Sequence, residues 1–589
     1  MEKINHRGPD SSSTYITDEI VLGFCRLAIT GVEEGDQLTY NEDHTLILLC
    51  NGTIYNYQYL RKLLIERGHT FVSQTDSECL IHLYEEYGSD MLSHLRGMFA
   101  FAIYDINNKT LFIARDFFGI KPLYYCKTGA DESQTILFGS EIKSFIAHPG
   151  FVPEVNEEAL AQYLTFQYSV LPETFFKGVY KLPPGHYMIC KDGEIETHRY
   201  FTPKFKPAKM TLEMAVKAVD KVMEDSINAH MISDTEVGTF LSSGVDSSFV
   251  AARFGGKKAF TVGFDYQNFN EIEYANETAE NVGLDHYTKT ITTEEYWESL
   301  GKVQYHMDEP LADPSCIALY FLSREASKHV KVALSGEGAD EFFGGYNIYK
   351  EPLDLKILTA LPMPLRRLLG KIASAIPFAV KGKNFLIRGS KTVEERFIGN
   401  ANIFSKKERE AILKNDLGKA PGEITAPVFK EAGDTADDIT KMQHLDIQMW
   451  MVGDILLKAD KMSMANSLEV RAPFLDKEVF KVASHIPTPL RVNRGGTKYV
   501  FRRAAASHLP ESYAKRKKLG FPVPIRIWLK EDKYFDKVKS YFTNKSAKKY
   551  FNTDKLVKLL EDHRNEKADN SRKIWTVFMF LLWHEEYFG

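Results

Sequence analysis

Small residues and one carboxylate near the middle of the chain, Ser242-Ser-Gly-Val-Asp-Ser247, have the types and spacing of an anion-binding turn. The apolar run Val237–Leu241 before them predicts a buried strand, and Ser247 or Ser248 could cap the helix predicted after them. Turn N–H groups and the positive end of the helix dipole would converge where phosphate oxygens are stabilised. Asp246 adds a carboxylate suited to Mg²⁺. Such turns also open many helices that bind nothing, so the motif alone leaves both interpretations open.

A second loop of small residues, Ser335–Gly345, carries three carboxylates, among them Glu337 and Asp340. An acidic surface turn is the alternative interpretation, but the loop follows the apolar run Val330–Ser335, which predicts a buried strand. If the two loops meet, Asp340 and Asp246 could form a Mg²⁺ site that bridges the phosphates of a nucleotide. Glu337 would then be free for chemistry.

The elements that must position these loops are strands that alternate with helices. The runs at 237–241, 259–264 and 330–335 predict buried strands, and the segments 211–229 and 271–283 predict helices. This alternation predicts an α/β domain with a doubly wound parallel sheet. Ligands of such a sheet bind beyond the carboxyl ends of its strands.

The first 200 residues are instead rich in strand patterns, with helical patterns at 57–67 and 77–87. This mixture predicts an α+β domain. A proline-punctuated linker at 201–207 interrupts the pattern, so we predict two domains, residues 1–205 and 206–589. The length of 589 residues agrees, because one hydrophobic core rarely supports so long a chain.

Composition argues against several classes of protein. The net charge of −5 and the pI of about 6.4 give no electrostatic reason to expect a nucleic-acid partner. The densest basic run, Lys515–Lys518, is either a solvated face or a loop that faces phosphate. Six scattered cysteines without a CxxC pair argue against a zinc site or a disulfide framework built from them, and fit a cytoplasmic location. The apolar run Ile574–Trp583 is about half of what spans a bilayer, which predicts a buried C-terminal helix and no membrane partner.

Several motifs resemble those of known families. The Ser242–Ser247 turn is similar to the pyrophosphate-binding loop of the ATP pyrophosphatases, with Ser243 where that family usually has Gly. Further motifs closely resemble the asparagine synthetases in their order and spacing: His6–Asp10, Arg26–Ile29, Asn51–Asn56, Asp76–Glu78, Arg96–Phe101, Arg115–Pro122, Gly453–Asp476, Thr497–Tyr499 and Lys518–Pro522. The resemblance implies an N-terminal-nucleophile hydrolase-like glutaminase domain, with two sheets packed between helices, followed by an ATP-dependent synthetase domain with a helical C-terminal part.

In the glutaminase domain the resemblance implies a glutamine site. Arg26 would hold the α-carboxylate of glutamine and Asp76 its α-amino group. Asn51 and the Gly52 N–H would form the oxyanion hole. Thr53 stands where the family usually has a Glu that helps to hold the α-amino group.

A second departure concerns the nucleophile. The family's first strand, with its N-terminal Cys, is missing ahead of the His6 motif, whether it has decayed or the sequence is truncated. We therefore expect the glutaminase half to be inactive as given and the amide nitrogen to come from free ammonia. Cys25 and Cys50 lie in apolar runs, where we expect them to pack.

In the synthetase domain the resemblance implies ATP-dependent amidation of aspartate to asparagine through an acyl-adenylate, with Mg²⁺ as cofactor and release of AMP and pyrophosphate. Lys498 is similar to a lysine that neutralises charge in the transition state, and Glu337 to a carboxylate beside the adenylate. The metal would be held by Asp246 and Asp340. The ATP pocket would be lined by Phe240, Ser242, Ser243, Gly244, Asp246, Ser247, Val262, Ser335 and Gly336.

Three alternatives stay open. The stretch Asp308–Ser315, on the side where the carboxylate substrate would bind, does not identify that substrate. Another carboxylate, such as diaminopimelate of cell-wall precursors, could therefore replace aspartate. A tRNA-modifying ATP pyrophosphatase shares the phosphate loop but requires a basic face. A regulatory protein descended from a dead synthetase is disfavoured by the intact loops at Asp246, Asp340 and Lys498. The resemblance also implies a possible homodimer, with small molecules as the other partners: ATP, aspartate, and ammonia or glutamine.

Overall fold

The computed structural model describes residues 1–33, 38–129, 135–266, 271–376, 380–510, 512–513 and 523–589. The basic run Lys515–Lys518 and the motif Lys518–Pro522 lie outside the described residues.

Antiparallel strands dominate the N-terminal part. They are β1 Ser11–Ile16, β2 Val21–Arg26, β3 Thr39–Tyr40, β4 Leu46–Ile54, β5 Gly97–Asp105, β6 Thr110–Arg115, β7 Tyr124–Thr128, β8 Thr135–Gly139, β9 Val179–Lys181, β10 His186–Lys191 and β11 Glu194–Arg199. Six of them form one sheet in the order β11-β10-β6-β5-β4-β3. The others form a three-stranded sheet, β8-β7-β9, and the β1-β2 pair.

Alternation along the strands explains how these sheets pack. In β4, Ile47 and Leu49 belong to a core shared with residues of β2, β7 and β10, whereas Leu48 and Cys50 lie in a core on the opposite face. That second core contains helices α1 (Tyr57–Glu66) and α2 (Glu78–Tyr87). The predicted α+β architecture, with sheets packed against one another and against helices, is confirmed.

A parallel sheet organises the C-terminal part, as predicted. Its strands are β12 Val237–Phe240, β13 Lys258–Phe264, β14 Asp285–Ile291, β15 Val332–Leu334 and β16 Glu469–Arg471. They are all parallel and lie in the order β14-β13-β12-β15-β16, so the strand order reverses between β12 and β15. That reversal is the point at which doubly wound sheets bind ligands. The sequence analysis missed β14 and β16, and β15 is shorter than predicted.

Helices surround the parallel sheet and build the C-terminal part. After α3 (Glu157–Phe166) they are α4 Leu212–His230, α5 Val245–Arg253, α6 Ile272–Val282, α7 Thr293–Glu298, α8 Leu300–Met307, α9 Ser315–Ala326, α10 Ala339–Phe343, α11 Glu351–Asp354, α12 Lys356–Thr359, α13 Met363–Ala375, α14 Lys383–Gly389, α15 Val393–Arg396, α16 Lys406–Ile412, α17 Pro421–Ala432, α18 Asp438–Gln448, α19 Leu457–Met464, α20 Lys477–His485, α21 Thr488–Arg491 and α22 Tyr499–Ala505. Later helices span Ile525–Trp528, Asp532–Thr543, Lys545–Tyr550, Thr553–Arg564 and Ser571–Phe588. The predicted helices at 57–67, 77–87, 211–229 and 271–283 are confirmed within one residue at each end.

One hydrophobic core crosses from the N-terminal part into the C-terminal part. The ring of Phe118 lies 5.1 Å from that of Phe342 and 5.6 Å from that of Phe480, between ring centroids. The predicted boundary at 205/206 falls between β11 and α4. The two parts therefore pack as one body, although each has its own sheet.

The last helix, Ser571–Phe588, is buried over most of its length, as predicted for Ile574–Trp583. Its Trp583 indole N–H donates to the Asp308 carbonyl at 2.6 Å. Among the described residues no helix is long and apolar enough to cross a membrane.

Buried His230, the last residue of α4, makes stability depend on pH. Burial lowers its pKa to about 4, from about 6.5 in an unfolded chain. Between those values the unfolded state binds more protons, so this contribution is complete above pH 6.5 and is lost as pH falls to 4. We predict that His230→Gln reduces the loss of unfolding free energy between pH 6.5 and 4 by up to about 3 kcal/mol.

Urea unfolding at a series of pH values measures this effect. The exposed His94 provides the control variant His94→Gln. If His230→Gln retained the full pH dependence of the unmodified chain, the assignment of the acid sensitivity to His230 would be wrong.

Candidate active site

Two loops meet at the reversal of strand order in the parallel sheet. Strands β12 and β15 are hydrogen-bonded neighbours, with Thr239 opposite Leu334, and each runs directly into one of the predicted loops. A Cβ built on Gly336 would lie 3.1 Å from the Asp246 Cβ and from the Ser247 backbone nitrogen. Glycine at 336 therefore permits the close approach of the second loop to the first.

The phosphate-loop helix begins earlier than predicted. Helix α5 begins at Val245 with Gly244 as its N-cap, and no side chain of the described residues caps it. The prediction that Ser247 or Ser248 caps this helix is wrong, because both lie within its first turn. The Ser247 hydroxyl instead reaches back across the turn, accepting from the Ser242 N–H at 3.0 Å and contacting the Ser242 hydroxyl at 2.8 Å.

Lys498 joins the two loops. Its ammonium nitrogen lies 2.7 Å from both carboxylate oxygens of Asp246 and 2.7 Å from Oδ1 of Asp340. All three side chains are buried. The backbone of Lys498 has φ +52°, in the left-handed region that side chains other than Gly rarely adopt. A strained residue that is held between two carboxylates is typical of a functional site.

Gly345 makes room for this arrangement. A Cβ at this position would lie 1.8 Å from Oδ1 of Asp340 and 2.2 Å from Cε of Lys498. Neither atom could move away without breaking the contact between the lysine and the aspartate. Glycine at position 345 therefore leaves the space in which Asp340 and Lys498 meet.

Three buried polar atoms of the two loops have no hydrogen-bond partner in the described part of the chain: Oγ of Ser243, Oγ of Ser335 and Oε2 of Glu337. Buried polar groups are normally satisfied, so unsatisfied ones in both loops favour a polar ligand at the point where the loops meet. Two carboxylates that converge on one ammonium also mark a point where a cation is stabilised. The residues present therefore fit both a polyanionic ligand and a divalent cation.

The other predicted ATP-site residues lie in the two loops, in the strand that leads into the first loop, or in the neighbouring strand. Phe240 is the last residue of β12 and directly precedes the first loop. Gly244 and Ser247 belong to that loop and the first turn of α5. Val262 is buried in the middle of β13, the neighbouring strand. No described contact joins Val262 to either loop.

The four predicted glutamine-site residues line one cavity of about 420 Å³ in the N-terminal part: Arg26, Asn51, Gly52 and Asp76. The Asp76 carboxylate accepts from the Thr30 hydroxyl at 2.6 Å and from the Ile54 N–H at 2.7 Å. Burial raises the pKa of Asp76. Gly52 has φ +146°, and a Cβ there would lie 2.0 Å from the Met98 carbonyl oxygen, so only glycine fits.

The cavity also bears on the predicted glutamine ligands Asn51 and Arg26 and on the prediction that Cys25 and Cys50 pack in the interior. Asn51 Nδ2 donates to Oγ of Ser140 at 3.1 Å, and Arg26 donates to the Gly31 carbonyl at 2.7 Å. Cys50 is buried in the core, and Cys25 is half-buried on the cavity wall. Burial raises the pKa of both thiols, which disfavours the reactive thiolate.

Thr53 connects this cavity to the parallel sheet. Its hydroxyl donates to Glu469 at 3.0 Å and accepts from Arg471 at 3.2 Å, and both partners belong to β16. Glu469 also lines the glutamine-site cavity. A residue that replaces the family's usual Glu is therefore part of the contact between the two parts of the molecule.

Sequence reasoning missed a buried ion cluster between the two sites. Arg7 donates to Asp460 at 2.7 Å, and Lys121 lies 3.4 Å from Asp460 and 3.9 Å from Glu469. Arg7 and Glu469 line the cavity that holds the predicted glutamine-site residues, whereas Lys121 and Asp460 line a narrow cavity that is also lined by Glu337. The sequence signal that could have predicted this cluster is that its charged residues lie inside the motifs His6–Asp10, Arg115–Pro122 and Gly453–Asp476.

Comparisons with known proteins agree with this architecture. The family model described as asparagine synthase matches residues 218–585, and the model described as glutamine amidotransferase domain matches residues 1–201. The glutamine-hydrolyzing asparagine synthetase 1 of Bacillus subtilis (strain 168) is 46% identical over 589 residues, which cover 99% of this chain and 92% of that protein. A putative glutamine-hydrolyzing asparagine synthetase of Mycobacterium tuberculosis (strain ATCC 25618 / H37Rv) is 40% identical over 604 residues, with coverage of 99% and 92%. The chain therefore belongs to the asparagine synthetase family.

Proposed function

We propose that this protein is an ATP-dependent ligase that converts aspartate into asparagine through an acyl-adenylate, with release of AMP and pyrophosphate. The observation that carries the proposal is the convergence of Asp246, Asp340 and Lys498 at the reversal of strand order, in loops that also carry buried polar atoms without a partner in the described part of the chain. The similarity to asparagine synthetases over 99% of the chain supports the same reaction.

The first loop serves the departure of pyrophosphate. A carboxylate is a poor electrophile, so it must attack the α-phosphate of ATP and expel pyrophosphate before an amine can react with it. The turn from Ser242 to Ser247 lies at the N-terminus of α5, where N–H groups and the helix dipole stabilise the negative charge of the leaving group. We assign the ATP pocket to this turn together with Phe240, Val262, Ser335 and Gly336.

Asp246 and Asp340 would hold Mg²⁺. When bound, Mg²⁺ would neutralise part of the phosphate charge. Lys498 now lies between the two carboxylates, so its ammonium marks the position of highest cation affinity. Its four-carbon stem allows the ammonium to turn from the aspartates to a phosphate oxygen of ATP, where it would stabilise charge in the transition state.

Glu337 has the position and the free atom that a general base needs. Ammonia must lose a proton as it attacks the activated acyl group. Oε2 of Glu337 is buried and unpartnered among the described residues, next to Ser335 in the second loop. We assign proton acceptance to this oxygen.

Residues 1–205 form the proposed glutamine-binding half and residues 206–589 the proposed synthetase half. Arg26, Asn51, Gly52 and Asp76 share one cavity, which supports their assignment to glutamine. Thr53 offers no charge, so Asp76 would be the carboxylate for the α-amino group. A cytoplasmic location and a homodimer complete the proposal, both on the resemblance to the family.

The acceptor carboxylate can be identified directly. With ATP, Mg²⁺ and ammonium supplied, we expect aspartate to elicit pyrophosphate release and asparagine formation, and glutamate, diaminopimelate and tRNA to elicit neither. Pyrophosphate is measured by a coupled assay and the product by chromatography. Activity on diaminopimelate without activity on aspartate would replace the proposed substrate.

Glu337→Gln separates catalysis from ATP binding. Because a general base contributes typically about 10²–10⁴ in rate, asparagine formation should fall by roughly that factor while the Kd for ATP stays within about twofold. The neutral amide keeps the size of the side chain. The control is Glu325→Gln, which removes a carboxylate on α9 that pairs with Lys328, just beyond the end of that helix. A parallel collapse of ATP affinity would instead make Glu337 a structural or metal-binding residue.

Asp340→Asn tests the metal assignment. Loss of one charged ligand should raise the Mg²⁺ concentration for half-maximal activity by about tenfold or more, because even indirect partners of a metal are worth 10–100-fold. A Mg²⁺ titration at saturating ATP measures this shift. The exposed Asp354 gives the control Asp354→Asn. An unchanged titration curve for Asp340→Asn would exclude Asp340 as a ligand.

A further inference from the structure

Two histidines and two glutamates face one another at the edge of the N-terminal sheet, away from both proposed sites. Glu42 follows the edge strand β3, His69 follows α1, and His82 and Glu85 lie one turn apart on α2. Each offers one ligand atom, and these four atoms lie within 4.8 Å of one another. Three separate segments of the chain thus converge on a single point.

The distances between these atoms match a tetrahedral metal site. Nδ1 of His82 lies 3.1 Å from a carboxylate oxygen of Glu85 and 3.4 Å from one of Glu42. Nδ1 of His69 lies 3.7 Å from the same Glu85 oxygen, Oε2, and 3.3 Å from the other oxygen of Glu42, Oε1. Ligands bound to Zn²⁺ at about 2.0–2.1 Å in a tetrahedron lie about 3.3–3.4 Å apart. The three separations that involve Oε2 of Glu42 or of Glu85, 3.1, 3.4 and 3.7 Å, bracket that value.

The second ring nitrogen of His69 is within hydrogen-bond distance of a further carboxylate, whereas that of His82 has no hydrogen-bond partner among the described residues. Nε2 of His69 lies 3.3 Å from Glu86, and Nε2 of His82 lies 3.8 Å from Glu78. Metal-binding histidines usually direct their other N–H at a carboxylate, which fixes the ring and its tautomer. Glu78 is itself held by the N–H groups of Val72 and Ser73.

The two glutamates are also oriented by the surrounding chain. Oε1 of Glu85 accepts from Nδ2 of Asn41 at 2.9 Å, which leaves Oε2 for the cluster. Oε1 of Glu42 accepts from the Thr70 N–H at 2.8 Å. Carboxylates held in this way present a lone pair without further loss of side-chain entropy.

Protonation of His82 is the competing explanation for the cluster. Burial opposes its charged form, but the nearby carboxylate of Glu78 and the hydrogen-bonded carboxylate of Glu85 outweigh burial and raise its pKa to about 9. One imidazolium, however, leaves the Nδ1 of His69 beside the same two carboxylates. A divalent ion would satisfy both Nδ1 atoms and both carboxylates at once.

We propose that Glu42, His69, His82 and Glu85 bind one Zn²⁺ ion through Nδ1 of each histidine and one carboxylate oxygen of each glutamate. Imidazole and carboxylate ligands suit Zn²⁺, and four protein ligands close the coordination sphere. The ion would be structural and would fasten the chain after β3 and after α1 to α2. It differs from the cysteine site that the sequence argued against.

Zinc titration of the full-length protein tests this site. After treatment with EDTA and dialysis into excess Mg²⁺, which occupies the proposed site at Asp246 and Asp340, ZnCl₂ is added in a calorimeter. We expect one tightly bound Zn²⁺ per chain. His69→Gln and Glu85→Gln should each weaken binding by about tenfold or more. The exposed His198, beside Glu196, gives the matched control His198→Gln, which should bind Zn²⁺ normally.

Cobalt reports the geometry independently of affinity. Co²⁺ at the same site should show the intense visible absorption of a four-coordinate ion and should lose it in His69→Gln. The altered side chains are only 13% and 27% exposed, so circular dichroism checks each fold, and Glu42→Gln, 36% exposed, replaces any variant that unfolds. Undetectable Zn²⁺ binding, normal affinity in both variants, or a six-coordinate Co²⁺ spectrum would each overturn the proposal.

Discussion

Charged side chains buried between the N-terminal and C-terminal parts are the constraint on which the rest of the structure depends. Arg7 and Lys121 come from the N-terminal part, and their carboxylate partners Asp460 and Glu469 come from α19 and β16. A buried ion that loses its partner commonly costs about 3–5 kcal/mol. Neither part can therefore be complete without the other, and the two proposed sites stay at a fixed separation.

The proposed active site uses the same principle on a smaller scale. Asp246 and Asp340 lie on loops of two neighbouring strands, and Lys498 arrives from a distant segment with an unfavourable backbone conformation. The attraction of two carboxylates compensates for that conformation. Gly336 and Gly345 are required because a side chain at either position would push the charged groups or their loops apart.

Much of this arrangement is predictable from the sequence, for physical reasons. Apolar strands that alternate with helices require a parallel sheet, and the carboxyl ends of its strands share one edge, so Asp246 and Asp340 had to lie near one another. The short β16 was missed because two of its three residues, Glu469 and Arg471, are charged and show no apolar pattern. The capping prediction failed because the Ser247 hydroxyl bonds to Ser242 across the turn. In the cluster around His82 only His82 and Glu85 have a helical spacing, and tertiary packing brings Glu42 and His69 to them.

The buried ion cluster also bears on how the protein is made. Arg7 and Asp460 are 453 residues apart, so at about 5–20 residues per second the ribosome needs roughly 20–90 s to supply the partner of Arg7. During that interval Arg7 has Glu141 as its ion-pair partner within the N-terminal part, whereas Lys121 lacks both Asp460 and Glu469, so positive charge stays exposed where the interface will form. That charge keeps the waiting surface hydrated and unattractive to other nascent chains, so the contact that later locks the enzyme together first protects it from aggregation.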